Sequence, residues 1–160
     1  MNLAGFNLKE ADDVASAGLG DEVNVGGNVW KYVQADGAIA QYAIVGLEAT
    51  NEAVELTSTI SGARPTAVGL AQFAFADNQY GWVLVGPFSV DETGTAFKVL
   101  TSAASAVDVI MYTSATAGKV DDGDGSGDKI AGLVLTESGS SGAGTFKCQS
   151  VCRMTTNCGV

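Results

Sequence analysis

Ala67-Val68-Gly69-Leu70-Ala71-Gln72-Phe73-Ala74-Phe75-Ala76-Asp77-Asn78-Gln79-Tyr80-Gly81-Trp82-Val83-Leu84-Val85-Gly86-Pro87 decides the fold class. Two runs rich in Val, Leu and aromatic residues, each too short for a helix, flank the pair Asp77-Asn78. Asp and Asn side chains hydrogen-bond their own backbone and tolerate the left-handed region, so this pair reads as a turn. The stretch predicts a β-hairpin with strands over 67–73 and 80–85. Pro87 closes the second strand where a missing N–H does least harm. Gly69 and Gly81 lie inside these strands, as Gly132 does in a later one. They predict bulges or sharp bends of the kind that close small barrels.

The same pattern continues on both sides. Upstream, strands are predicted over 29–33, 42–45 and 53–56; downstream, over 96–100, 107–112, 129–135 and 145–148. Gly, Asn, Asp and Ser separate them too closely to leave room for crossover helices. The expectation is an all-β chain, a small antiparallel β-barrel or sandwich over 23–148, with an N-terminal arm over 1–22 and a Cys-containing tail over 149–160. In the arm, Asn7 followed by Glu10 resembles a capping box, and Leu8, Ala11, Val14 and Ala15 have helical spacing. One short helix over 8–17, stopped by Gly18, fits there. Leu3, Phe6 and Leu8 are its apolar anchors, free to dock on a partner. Residues 137–144 read as a flexible loop. No internal repeat is evident.

The chain has 160 residues, which suits one domain able to fold without staples. Its apolar share of 46% comes largely from Ala and Val, and it has 21 Gly, so side chains are small, as a thin barrel requires. Charged residues make up 16%, against about 25% in an average domain, which fits a surface partly covered by partners. Acidic residues outnumber basic ones 18 to 8, for a net charge of −10. The cations Lys9, Lys31, Arg64, Lys98, Lys119, Lys129, Lys147 and Arg153 are scattered singly, and the acidic surplus repels phosphate backbones and anionic lipid. Nucleic acid and membrane are therefore not expected partners. Residues 1–10 carry no basic region followed by an apolar run, and no stretch of about 18 apolar residues occurs, so the expectation is a soluble protein made in a cytosol.

The chain has no histidine, which removes Ser-His-Asp and Cys-His nucleophiles, imidazole metal ligands and the usual base near neutral pH. The carboxylates sit in turns and in the arm, and Asp108, between Val107 and Val109, takes the wet face of a strand. Neither a catalytic site nor a cofactor is expected. From Asp122 the run Asp122-Gly123-Asp124-Gly125-Ser126-Gly127-Asp128 follows the opening of a calcium loop, with Asp122, Asp124, Ser126 and Asp128 as ligands. The bidentate Glu of position 12 is replaced by Leu133, and a solvated acidic loop is the favoured reading. Cys148, Cys152 and Cys158 lack a fourth zinc ligand. Reduced thiols are the default, a single Cys152–Cys158 or Cys148–Cys158 disulfide is the alternative, and spacing does not choose. Most aromatics read as core, but Tyr80 and Trp82, just after a turn, are candidates for a subunit contact.

Three stretches carry a family resemblance. Gly26-Gly27-Asn28-Val29-Trp30-Lys31-Tyr32-Val33-Gln34-Ala35 resembles an opening found in tailed-bacteriophage head decoration (capsid cement) proteins. Val68-Gly69-Leu70-Ala71-Gln72 with Asn78-Gln79-Tyr80-Gly81-Trp82-Val83-Leu84-Val85-Gly86 is similar to a hairpin of the same proteins, and Lys129-Ile130-Ala131-Gly132-Leu133-Val134-Leu135 to a late strand. The order is kept over roughly 23–148; the acidic loop and the cysteine tail depart from the pattern. The resemblance implies a virion structural protein without catalysis on the exterior of a phage capsid, a homotrimer cementing neighbouring major capsid proteins. The alternative expectation is a calcium- or glycan-binding β-domain of a virion fibre or surface protein.

Overall fold

The computed structural model describes residues 2–3, 6–59, 67–123, 127–139 and 142–156. The chain is essentially all β, as expected. Its strands are β1 (Asn2–Leu3), β2 (Phe6–Asn7), β3 (Glu22–Val25), β4 (Asn28–Ala35), β5 (Ile44–Leu47), β6 (Glu52–Glu55), β7 (Ala67–Leu70), β8 (Tyr80–Leu84), β9 (Phe97–Thr101), β10 (Ile110–Thr113), β11 (Val120–Asp121), β12 (Lys129–Leu135) and β13 (Gly144–Thr156).

Pairing closes two circuits of five strands. In the first, β4 pairs β6 in parallel, and β6–β5, β5–β7, β7–β8 and β8–β4 are antiparallel. The second has the same connectivity: β9 pairs β11 in parallel, and β11–β10, β10–β12, β12–β13 and β13–β9 are antiparallel. The chain is thus a small barrel repeated, a regularity missed in the sequence.

The repeat is visible in backbone detail. Four times a strand ends in a bend, and a single residue then makes an isolated bridge: Ile39, Phe75, Ser105 and Gly139. Three residues later comes a left-handed residue, Tyr42 (φ 67°), Asn78 (φ 64°), Asp108 (φ 58°) and Gly142 (φ 102°). Two residues beyond that the next strand opens, at Ile44, Tyr80, Ile110 and Gly144. Within each barrel the bridges pair with each other. Ile39 and Phe75 exchange hydrogen bonds of 3.0 and 2.9 Å, and Ser105 and Gly139 bonds of 3.1 and 2.8 Å. Small residues flank every bridge in the sequence: Ala38 and Ala40, Ala74 and Ala76, Ala104 and Ala106, Ser138 and Ser140.

Asp77-Asn78 therefore is a turn, as predicted, but Phe75 pairs with Ile39 rather than within a hairpin to β8. Of the three strand glycines, Gly132 marks a bulge: its φ is +86°, and the β12–β13 register jumps between Ala131 and Leu133. Gly69 and Gly81 serve close packing instead. A Cβ on Gly69 would lie 2.8 Å from Val83 Cγ2, and one on Gly81 2.8 Å from the Phe75 ring.

Two apolar clusters hold the body. One comprises Val33, Ala35, Ile39, Ala43, Val45, Leu47, Ala53, Ala71, Phe73, Phe75, Val83 and Val85. Alternate residues of the same strands, Trp30, Tyr32, Ile44, Trp82 and Leu84, belong to the other. That second cluster continues into Leu8, Phe88, Phe97, Val99 and Met111, which lie outside the first circuit, so its face points outward and the other cluster fills the barrel. Thr155↔Ala67 pairing and the Met154 N–H to Val85 C=O bond (2.9 Å) tie the two barrels together.

The N-terminal reading needs correction. Among the described residues of 1–22 there is no helix. Asn7 and Glu10 do bond, side chain to side chain at 2.6 Å, but around a single turn. Leu8 is fully buried, and Asp12 exchanges both backbone bonds with Tyr80. Docking on the barrel satisfies these groups, so no helical ladder is needed. The tail is corrected as well: residues 149–156 continue β13 and pair with β12 and β7.

Candidate functional site

Two of the five expected partner-binding residues are not on the surface. Leu8 is 0% exposed and Trp82 1%, so both lie inside the chain's own core and neither is available to a partner. Alternation explains Trp82: its neighbours Gly81 and Val83 face the barrel, so it faces out, and there it meets Tyr32 at 5.0 Å. Tyr80 is half-buried and stacks on Tyr32 at 6.4 Å. The backbones of Leu3 and Phe6 pair in the β1–β2 ribbon; their side chains lie outside the described residues.

Of the calcium-loop set, Asp124 and Ser126 fall outside the described residues. Asp122 accepts the Ala106 N–H (2.8 Å), while Asp121 accepts the Ser102 hydroxyl (2.7 Å) and the Gly123 N–H (3.0 Å). These bonds organise the turn. Asp128 donates its N–H to the Thr113 hydroxyl oxygen (2.8 Å), and its Oδ2 is buried without a partner among the described residues. Among the described residues no group of three potential ligands could hold a metal ion. Cys148 is a buried free thiol whose pKa burial pushes far upward, and Cys152 is a free, exposed one. Cys158 lies outside the described residues.

What sequence reasoning missed is a cleft of about 310 Å³ at the seam between the barrels. Tyr42 and Phe73 reach it from the turns of the first barrel, Phe97 and Lys98 from β9, and Trp30 from β4. The Gln72 side chain staples the seam like a strand backbone: its amide donates to the Lys98 carbonyl (2.9 Å) and accepts the Lys98 N–H (3.2 Å). Lys98 Nζ lies 5.7 Å from the Tyr42 ring centroid. On the far rim Lys9 meets Asp91 at 3.4 Å. Asp91 accepts three further bonds, from the Thr93 hydroxyl (2.6 Å) and the Thr93 and Thr95 N–H groups (2.9 Å each). The Thr93 hydroxyl chiefly, then those backbone donors and Lys9, hold its pKa down to about 2. Asp91 is therefore a permanent charge that shapes the linker, and its geometry suits no proton transfer near neutrality. Only a scattered aromatic content and two isolated lysines mark this cleft in the sequence.

A second charged cluster fastens β13 to β3. Arg153 of β13 forks onto Glu22 of β3, and Lys31 stands 3.9 Å away. The Arg153 bond chiefly lowers the Glu22 pKa. No family model, curated protein sequence or solved structure matches the chain.

Proposed function

We propose that the chain is a structural virion protein that binds the outside of a bacteriophage capsid and cements neighbouring major capsid proteins, as a homotrimer and without catalysis. The reading rests on the sequence resemblance together with one physical observation, the contrast between the outer faces of the two barrels. The first is covered by the chain's own Leu8, Val25, Phe88 and Phe97. On the second, Lys98, Ile110, Val134, Lys147 and Gln149 are half-buried or exposed. Ile110 (42%) and Val151 (77%) are apolar groups left in solvent. A rigid body with one self-sealed face and one open face is suited to clamping a surface, and a trimer makes weak single attachments sum to tight binding. A clamp that binds only the mature shell stabilises it by that difference in affinity.

The test is to add purified protein to capsids that lack it. Saturable decoration of the outer surface in cryo-electron micrographs, with a raised capsid disruption temperature, is expected. Ile110→Asp with Val151→Asp should weaken binding while the melting temperature of the free protein holds. Capsids that stay bare at saturating protein sink the proposal.

A further inference from the structure

Apart from any capsid contact, the seam cleft has the character of a ligand site. Its volume of about 310 Å³ sits at the small end of the range of pockets for small molecules. Trp30, Phe73 and Phe97, all at least nine-tenths buried, supply apolar walls. One donor there, the Lys98 ammonium, lacks an acceptor among the described residues. Lys98 makes no ion pair among the described residues; Glu137 feels its charge but is already held by Lys147, through the N–H at 2.8 Å and the ammonium at 3.1 Å. The indole N–H of Trp30 is fully buried in the wall behind the cleft, without a hydrogen-bond partner among the described residues, and reports on that wall. Among the residues that line the cleft, Lys9 and Lys98 outnumber Asp91, on a chain of net charge −10. The cleft is also not a by-product of the repeat. At the positions where the first barrel has Tyr42 and Phe73, the second has Asp108 and Glu137, which would repel an anion.

We propose that the cleft binds a carboxylate carried on a single flat apolar ring, with the ring against Phe73 and Phe97 and the carboxylate toward Lys98. An aromatic wall takes the ring, the half-buried Lys98 ammonium takes the charge, and the carboxylate oxygens supply the acceptor that Lys98 lacks. Such a group is either a free aromatic acid or the C-terminal residue of a peptide chain.

The experiment uses the full chain labelled with ¹⁵N. Its two indole signals are assigned with Trp30→Phe, and phenylacetate is titrated against its neutral isostere 2-phenylacetamide. The Trp30 indole signal should shift saturably with phenylacetate, and the amide should bind at least about tenfold more weakly. Lys98→Met should weaken the acid by about tenfold and leave the amide unchanged. Lys9→Met, whose side chain is half exposed on the rim, is the second variant should the first lose its fold. A peptide ending in a free phenylalanine carboxylate separates the sources: tighter binding than phenylacetate assigns the cleft to a chain terminus, weaker binding to a free acid. Equal binding of acid and amide, or no saturable shift at Trp30, overturns the proposal. None of these readouts requires a capsid.

Discussion

The same cross-strand position holds Tyr32 opposite Trp82 in the first barrel and Lys98 opposite Lys147 in the second. Backbone pairing is equivalent, but the first pair is buried to 1% or less and the second faces outward, half-buried or exposed. The bridges differ likewise: Ile39 with Phe75 in one barrel, Ser105 with Gly139 in the other. A five-strand circuit thus demands little of side-chain identity at these positions. It demands a residue that tolerates the left-handed region three places after each bridge, and small neighbours on either side of it. Side chains are free to diverge with what each face meets. The first barrel meets the rest of the chain on its outer face, whereas the second meets water there, and two lysines opposite each other are tolerable only where solvent screens them.

The sharpest way to break this contrast is to truncate both members of the equivalent pair. Trp82→Ala should cost about 3–5 kcal/mol in chemical denaturation, because it empties a buried aromatic site. Lys147→Ala should stay within about 0.5 kcal/mol. Similar losses for the two would show that the second barrel's outer face is as structural as the first's. Next in size is Gly69→Ala, whose new methyl would fall 2.8 Å from Val83 and 3.1 Å from Val45. Overpacking there should cost about 1–3 kcal/mol. Faster amide hydrogen exchange should be concentrated in β5, β7 and β8, and equal acceleration in β10 and β12 would argue against two separate interiors.

The smallest effect concerns the linker between the barrels. The pKa of Asp91 is lowered to about 2 in the folded chain, from the ordinary aspartate value of 3.8. A carboxylate with a depressed folded pKa stabilises above its unfolded value, and that contribution fades as pH falls from about 4 through about 2. Asp91→Asn should therefore flatten the pH dependence of the melting temperature in that window and leave the higher range parallel to the parent. A variant as acid-sensitive as the parent would show that the Thr93–Thr95 turn holds without the charge.

Much of the architecture was legible in local sequence. Short runs of Val, Leu and aromatics between Gly, Asp and Asn place eight of the thirteen strands among the described residues to within three residues. The turn at Asp77-Asn78 is where side-chain chemistry puts it. The errors share a cause. Glu22–Val25 is only four residues long, and 149–156 has polar or charged residues at 149, 150, 153, 155 and 156 with no strict alternation, so they read as arm and tail until their hydrogen-bond partners are known. The spacing of Leu8 and Ala11 fits a helix as well as an extended segment lying on an apolar face. The turn before Trp82 makes it read as a candidate for a subunit contact, whereas its face is set by Val83, which packs inside the barrel.

From its order of residues alone, this protein is determined to be β, rich in small side chains, strongly acidic and without imidazole chemistry, because propensity and charge reside in single residues and short alternations. Tertiary structure alone decided that the barrel occurs twice, that the N-terminal segment is bound down, and that a cleft lies where the two barrels meet. Those facts depend on pairings between residues far apart in the chain. The repeat constrains backbone angle and residue size rather than identity, so it stays hidden until Ile39 is seen to do for one barrel what Ser105 does for the other.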